Sequence, residues 1–374
     1  MKKIIVSVIN DLSTDQRVHR HCETLVQSGF EVLLVGRKLP QSLPLTARNY
    51  ATKRMRLLFR KGALFYAEYN IRLFFFLLFH RFDGFVSNDL DTLLSNFLVS
   101  KIKQKPLLYD SHEYFTEVPE IQSKPTVKKI WLTIEKFIFP KLNYVITVNE
   151  SIANVYRSQY GNKITVVRNV PFKKNIPHVT RAELGLPEDK KIMILQGAGI
   201  NKDRGAEELL EAIYFMHSAN EILLIIGGGD VIETLKTMIW RHGLSEKVFI
   251  KEKMPLEELI KYASVCDLGI SLDKDTNLNY RYSLPNKLFD YIQCGIPVFS
   301  SNLIELKKVI EEYKVGFIAS NHEPNYLATR LTEILADEET LNQYKENARK
   351  AAEELCWEKE KIKFEQMVAN AFYL

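Results

Sequence analysis

The rhythm of the chain constrains its fold more than any other feature. Short runs of β-branched and apolar residues alternate with longer amphipathic stretches from one end to the other. The short runs fall at 3–9, 31–35, 84–87, 107–110, 144–148 and 164–167, and again at 191–196, 222–226, 248–250, 268–271, 297–300 and 316–319. Helical periodicity fills most of the gaps, which makes the strands parallel and the crossovers right-handed. The predicted fold class is therefore α/β, with two Rossmann-like doubly wound domains. The carboxyl ends of their strands border a cleft, the place where such sheets bind ligands. Residues 172–187 break the rhythm, being rich in Lys, Asn and Pro, and read as a linker between 1–171 and 188–355. Residues 356–374 read as a closing amphipathic helix that packs back on the first domain.

A chain of 374 residues suits two domains better than one. With 46% hydrophobic and 26% charged residues, each half can bury a full core. A net charge of +5 suits anionic ligands or an anionic membrane surface better than cationic ones. Cys22, Cys266, Cys294 and Cys356 lie far apart without ligand-like spacing, which argues for free thiols in a reducing compartment. The opening MKKIIVSVIN puts basic before apolar residues, as a leader peptide would, but the run is short and no small-residue cleavage site follows. It reads as a buried first strand. No segment approaches the roughly 20 apolar residues that span a bilayer. The expected location is cytoplasmic, at most peripheral on the inner face of the membrane, and no nucleic-acid partner is expected.

The most informative stretch is 280–301, YRYSLPNKLFDYIQCGIPVFSS. Ser283 is a good N-cap type, and Pro285 suits the first helical position, where a missing N–H costs nothing. Gly295 supplies a left-handed residue after the helix, and Pro297 stops it before the next strand. The helix start and its positive dipole end, with Lys287 in the first turn, make an anion site. Asp290 lies one turn beyond Asn286 and Lys287 on about the same face, where a carboxylate can accept the two hydroxyls of a ribose. A capped crossover helix without ligand would use similar caps, but Ser-Leu-Pro-Asn-Lys is more specific than a cap requires.

This stretch resembles the donor motif of glycosyltransferase family 4 and its GT-B relatives. The resemblance implies an N-terminal acceptor domain (1–171) and a C-terminal nucleotide-sugar donor domain (188–355). It implies that Ser283, Leu284, Pro285 and Asn286 border the diphosphate and that Asp290 holds the ribose. The family pattern has two glutamates eight positions apart; Asp290 fills the second, while Tyr282 stands at the first and leaves the grip on the donor sugar open. A basic pair in the family neutralises the leaving diphosphate from the loop that here reads QGAGINKDRGAEELLE, 196–211. Arg204-Gly205 stands at the family's Lys-Gly, Ala198 replaces its arginine, and Lys202 is the candidate substitute. Gly197 and Gly199 allow close backbone approach. By the same resemblance Gly229, in IIGGGD, borders the nucleotide, although a tight turn explains three glycines equally well. Lys253 and Met254 stand where family members contact the base through backbone.

In the first half, LLYDSHEYFTEVPE (107–120) puts Asp110, His112 and Glu113 just past a strand. An imidazole there can hydrogen-bond a sugar or phosphate oxygen, and family 4 commonly has a histidine here beside the donor sugar. His112 thus joins Arg204 and Lys287 as an expected catalytic group, with Glu113 and Glu117 as acceptor contacts. Arg17 could reach an anionic acceptor or be a plain surface residue of a helix. The Asp-x-Asp pairs at 89–91 and 273–275 are discounted as metal sites. No metal or other cofactor is expected, the nucleotide sugar serving as co-substrate. Within 53–81, KRMRLLFR and RLFFFLLFHR join cations to an aromatic helix. This is either a crossover helix packed on the sheet or an interfacial patch reaching a lipid-linked acceptor.

The implied reaction is transfer from a nucleotide diphosphate sugar, expected to be a UDP-sugar, to a glycan or lipid-linked acceptor in surface polysaccharide synthesis. The resemblance implies retention of anomeric configuration. The departing phosphate accepts the proton of the attacking hydroxyl, and no side-chain nucleophile is needed or visible. Two alternatives share the fold. A nucleotide-sugar epimerase would turn over donor without acceptor, and a non-catalytic GT-B binding protein would follow from the departures at Tyr282 and Ala198.

Overall fold

Each short apolar run forms a strand in the computed structural model, which describes every residue but Thr14, Gln41, Leu43 and Leu374. In the first half the strands are β1 (Lys3–Asp11), β2 (Glu31–Lys38), β3 (Ala51–Arg56), β4 (Gly84–Asn88), β5 (Leu107–Ser111), β6 (Tyr144–Thr147) and β7 (Ile164–Val166). They pair in parallel in the order β3-β2-β1-β4-β5-β6-β7. The second half holds β8 (Lys191–Gly197), β9 (Glu221–Gly227), β10 (Val248–Lys251), β11 (Leu268–Ser271), β12 (Val298–Ser301) and β13 (Gly316–Ala319). Their order is β10-β9-β8-β11-β12-β13, again parallel. Both sheets reverse direction beside their first strand, at β1/β4 and at β8/β11. Those reversals are where a doubly wound sheet opens a crevice for ligands.

Two compact units result: Met1–Asn169 together with Glu360–Leu374, and Val170–Lys359. Residues 172–187 belong to the second unit. There Arg181 donates to Asp267 at 2.8 Å and to the Lys190 carbonyl at 2.7 Å. The Trp357–Phe372 helix begins in the second unit and finishes in the first. Phe364 stacks on His21 at 4.1 Å between ring centroids. Phe372 lies so close to Gly84 that a Cβ there would come within 2.6 Å of the ring. This glycine is what lets the closing helix seat on β4.

The strand β3, ATKRMR, is not visible as an apolar run. It is an edge strand, and an edge tolerates Lys and Arg on its rim because only one side is paired. The 53–81 segment therefore splits into this strand and a Gly62–Phe79 helix. That helix is longer and more apolar than its run of aromatics suggests: 18 residues with mean hydropathy 1.3, enough by length and composition to cross a bilayer. Phe65, Tyr69, Leu73 and Leu77 are buried in the first unit, while Leu64, Ile71, Phe75 and Phe79 are exposed.

Candidate functional site

In the second unit, the loop after β8, the end of β11 and the Asn286–Gln293 helix bring charged side chains together. Asp273, fully buried, accepts from Arg204 Nη1 at 3.2 Å on one oxygen and faces Lys287 Nζ at 3.5 Å on the other. The Arg204 guanidinium lies 4.5 Å over the Tyr280 ring. Burial by itself would lower the Arg204 pKa, but Asp273 and Tyr280 outweigh it and hold the group above its ordinary value. Burial, aided by Arg204, pushes Lys287 down. Gly205 makes the arrangement sterically possible: it adopts φ +74°, and a Cβ there would meet the Leu272 carbonyl at 2.1 Å. The arginine loop can thus press against the strand end that carries Asp273.

Asp290, one turn along, is oriented from two sides. Lys174 Nζ donates to its Oδ1 at 2.6 Å and Gln196 Nε2 to its Oδ2 at 3.3 Å. Both partners escaped the sequence reading, because one lies in the supposed linker and the other at the end of a buried strand. The helix start also differs from expectation. Pro285 is the N-cap, extended at φ −70° and ψ 142°, rather than the first helical residue. Ser283 caps nothing, and its buried hydroxyl has no hydrogen-bond partner among the described residues. The short Leu278–Arg281 helix, whose cap is Asn277, takes the chain through this point in a turn of its own, with Ser283 N–H on the Tyr280 carbonyl. Gly295 does adopt the left-handed conformation, φ +68°, that ends the helix.

The remaining donor-side candidates sit around this core. A Cβ at Gly197 would make only an ordinary contact, with the Ile200 side chain at 3.6 Å, but Gly229 is pressed against Ile200, whose carbonyl a Cβ would approach to 2.0 Å. Loop packing thus accounts for that glycine. Lys202 and Lys253 are exposed, and Leu284 and Met254 pack against the core of the second unit. Asn286 is exposed at the first turn.

In the first unit, the Gln16–Gln27 helix and the loop after β5 converge on Asp110. Arg17 donates to both its oxygens, from Nε at 2.9 Å and Nη2 at 2.7 Å. His21 Nδ1 lies 3.2 Å away and His112 Nε2 3.1 Å away. His112 also receives Asp89: its backbone N–H donates to Oδ1 at 2.8 Å, and its Nδ1 lies 3.2 Å from Oδ2. Asp89 stands at φ 57° and ψ 168°, a region costing a non-glycine residue roughly 1–3 kcal/mol. Burial alone would lower the His112 pKa, but Asp89 and Asp110 raise it to about 9. Burial likewise would raise Asp110, yet Arg17 and His112 hold it well below the carboxylate range. His21, buried and beside these cations, falls to about 4.

Three expectations change here. Arg17 is no acceptor contact: it is buried, with its remaining Nη1 on the Val167 carbonyl at 2.9 Å, so its donors are consumed inside the unit. Both His112 nitrogens are committed to Asp89, Asp110 and Asn88, so the ring brings charge rather than a spare N–H. Glu117 is taken up by Lys128 at 2.7 Å and by Gln122, which makes it a turn residue, while Glu113 is partly exposed. The two Asp-x-Asp pairs are likewise committed separately. Asp89 serves His112, Asp91 is buried with its pKa raised by that burial, Asp273 serves Arg204 and Lys287, and Asp275 pairs with Arg281.

Two doubly wound units with an anion-ready helix start in the second define the GT-B class. Residues 15–170 match the family described as Glycosyltransferase Family 4, and residues 178–351 match Glycosyl transferases group 1. The chain is a GT-B glycosyltransferase of the family 4 type. A curated relative, chitobiosyldiphosphodolichol beta-mannosyltransferase of Candida albicans, is 25% identical over 246 residues, covering 60% of this chain. The match spans about half of that relative, 52%. Sucrose-phosphate synthase from Thermosynechococcus elongatus superposes with a TM-score of 0.82 at 18% identity over 100% of both chains. Anabaena HepE in complex with UDP and glucose does so with 0.75 at 15%, again over 100% of both. At these identities the likeness to solved structures shows the fold.

Proposed function

We propose that the chain transfers a sugar from a UDP-sugar to a glycan or lipid-linked acceptor in surface polysaccharide synthesis, retaining the anomeric configuration. The observation that carries this reading is Arg204 and Lys287 sharing the single buried carboxylate of Asp273. Two cations against one anion leave one positive charge beside the positive dipole end of the Asn286–Gln293 helix. A diphosphate is the complementary ligand. Negative charge grows on that diphosphate as the glycosidic bond breaks, and fixed cations favour that state over the ground state. Asp290, oriented by Lys174 and Gln196, keeps acceptor sites for a ribose diol, since a carboxylate offers about four. UDP is proposed by analogy with Anabaena HepE, whose structure holds it. Transfer is proposed to need no metal.

Asp290→Ala is expected to weaken UDP binding by calorimetry by about 1.5–3 kcal/mol, the scale of a hydrogen bond to a charged group. Wild-type protein that ignores UDP would sink the donor reading. A product of inverted configuration by NMR would overturn retention, and loss of turnover in EDTA would overturn the metal-free scheme.

We also propose that the enzyme works peripherally on the inner face of the membrane. The support is the exposed stripe Leu64, Ile71, Phe75 and Phe79, flanked by exposed Arg56, Arg60, Lys61 and Arg81. Apolar side chains beside cations suit an anionic interface. Co-sedimentation with phosphatidylglycerol vesicles is expected at low salt and should fade as salt rises. Equal binding to neutral vesicles, or none, would count against it.

A further inference from the structure

The edge of the first sheet carries a cavity that the donor site does not use. Its volume is about 350 Å³, and Arg37, Lys38, Arg56 and Arg60 line it. Arg37 and Lys38 end β2, Arg56 ends β3, and the register sets Lys38 beside Arg56. Parallel pairing thus brings like charges to one rim, which is unfavourable unless something anionic lies between them. None of the described lining residues is acidic, and none of these four cations makes an ion pair among the described residues. Arg54, two residues earlier on β3, shows the contrast, being paired with Asp11 at 2.9 Å. The Arg37 guanidinium lies 4.9 Å over the Phe65 ring, which orients it without neutralising it, and its buried Nε has no hydrogen-bond partner among the described residues. The wall is held in place by Glu68, which accepts the backbone N–H groups of Leu58 and Phe59, each at 2.9 Å, and pairs with Arg72 at 2.7 Å.

We propose that this cavity binds the phosphate or diphosphate of a phosphate-bearing oligosaccharide acceptor, with an apolar group on that phosphate lying against Leu57, Phe59 and Phe65. The inference names the acceptor class of the proposed transfer and rests on that reading for the acceptor's role, though not for the binding itself. Guanidinium forks match phosphate oxygens in geometry as well as charge. Position supplies the length. Strands β2 and β5 are three places apart in the sheet, roughly 14 Å at the usual strand spacing. A phosphate seated here is therefore too far to sit on the sugar ring that meets the residues after β5, so further sugars must intervene. The exposed stripe of the Gly62–Phe79 helix starts from the same wall, which favours a lipid-borne phosphate over a free one.

The test titrates octyl phosphate, inorganic pyrophosphate and phosphatidylglycerol vesicles into the full chain with UDP saturating, so that the donor-side cations are occupied. Octyl phosphate is expected to bind, and Arg37→Gln/Arg56→Gln to weaken it about tenfold or more. Arg56→Gln/Arg60→Gln, at exposed positions, should do the same and serves if the first pair unfolds the protein. Lys129→Gln/Lys136→Gln removes as much exposed charge from the Pro125–Ile138 helix and should leave octyl phosphate binding unchanged. Pyrophosphate binding as tightly as octyl phosphate would overturn the lipid-borne source. Equal losses in pocket and control variants, no binding of octyl phosphate, or a defect confined to vesicles would overturn the site. UDP affinity, read in the same samples, reports separately on the donor reading.

Discussion

Arg204→Ala is expected to lower kcat/KM by about 10²–10³-fold, the cost of removing one fixed donor from a developing oxyanion, while the protein stays folded. The expectation rests on where the arginine stands. Its side chain is partly exposed at the rim, so its removal opens no core cavity. What it removes is one of two cations sharing Asp273, which then keeps Lys287 alone. Lys287→Ala should act in the same direction, and the double variant should lose less than the product of the two, because both side chains act through one carboxylate. Asp273→Asn should also reduce turnover, since the anion that aims both cations is gone. Steady-state kinetics with saturating acceptor decide the matter, and near-normal values for both Arg204→Ala and Lys287→Ala would sink the donor assignment.

The second large effect is on stability. Asp110→Ala is expected to cost about 3–5 kcal/mol in denaturant unfolding, because it strands the buried Arg17 without its counter-ion. The same cluster makes stability depend on pH in two directions. His112 is held at about 9 against an ordinary 6.5, so the folded state binds its proton more tightly than the unfolded chain does. Its contribution is therefore full below about 6.5 and is lost as pH rises through about 9. Asp110 is held below its ordinary value, so its contribution is present above the carboxylate range and is lost as pH falls. His21, depressed to about 4, adds to the loss on the acid side, since the unfolded chain takes its proton first. Unfolding measured from pH 6 to 9 should show a decline in the wild type that His112→Ala makes shallower. An unchanged alkaline decline in that variant would show that the imidazolium is not its source.

Most of the strands were legible because a buried parallel strand must be a short apolar run, and a run is a local property. The exception, β3, shows the limit: ATKRMR carries no such signal, and only pairing with β2 makes it a strand. The donor segment was legible for a similar reason, since a helix start, a first-turn lysine and a carboxylate one turn later are all neighbours in sequence. Its cap was misplaced by two residues, from Ser283 to Pro285, because the preceding short helix competes for the same turn.

What the sequence determined by itself was the α/β class, the two-part organisation and the segments that carry charge at strand ends. Those follow from periods and residue types a few positions apart. What only the tertiary structure decided was which charges meet. Asp273 is fourteen residues from Lys287 and far from Arg204, Lys174 reaches Asp290 from outside the motif, and Arg17 crosses from the first helix to Asp110. Parallel strands bring the ends of remote segments side by side, and a buried carboxylate must take its counter-ions from whatever arrives there. Chain separation carries no record of that choice, and so a surface arginine became a buried one and a discounted aspartate became the centre of the site.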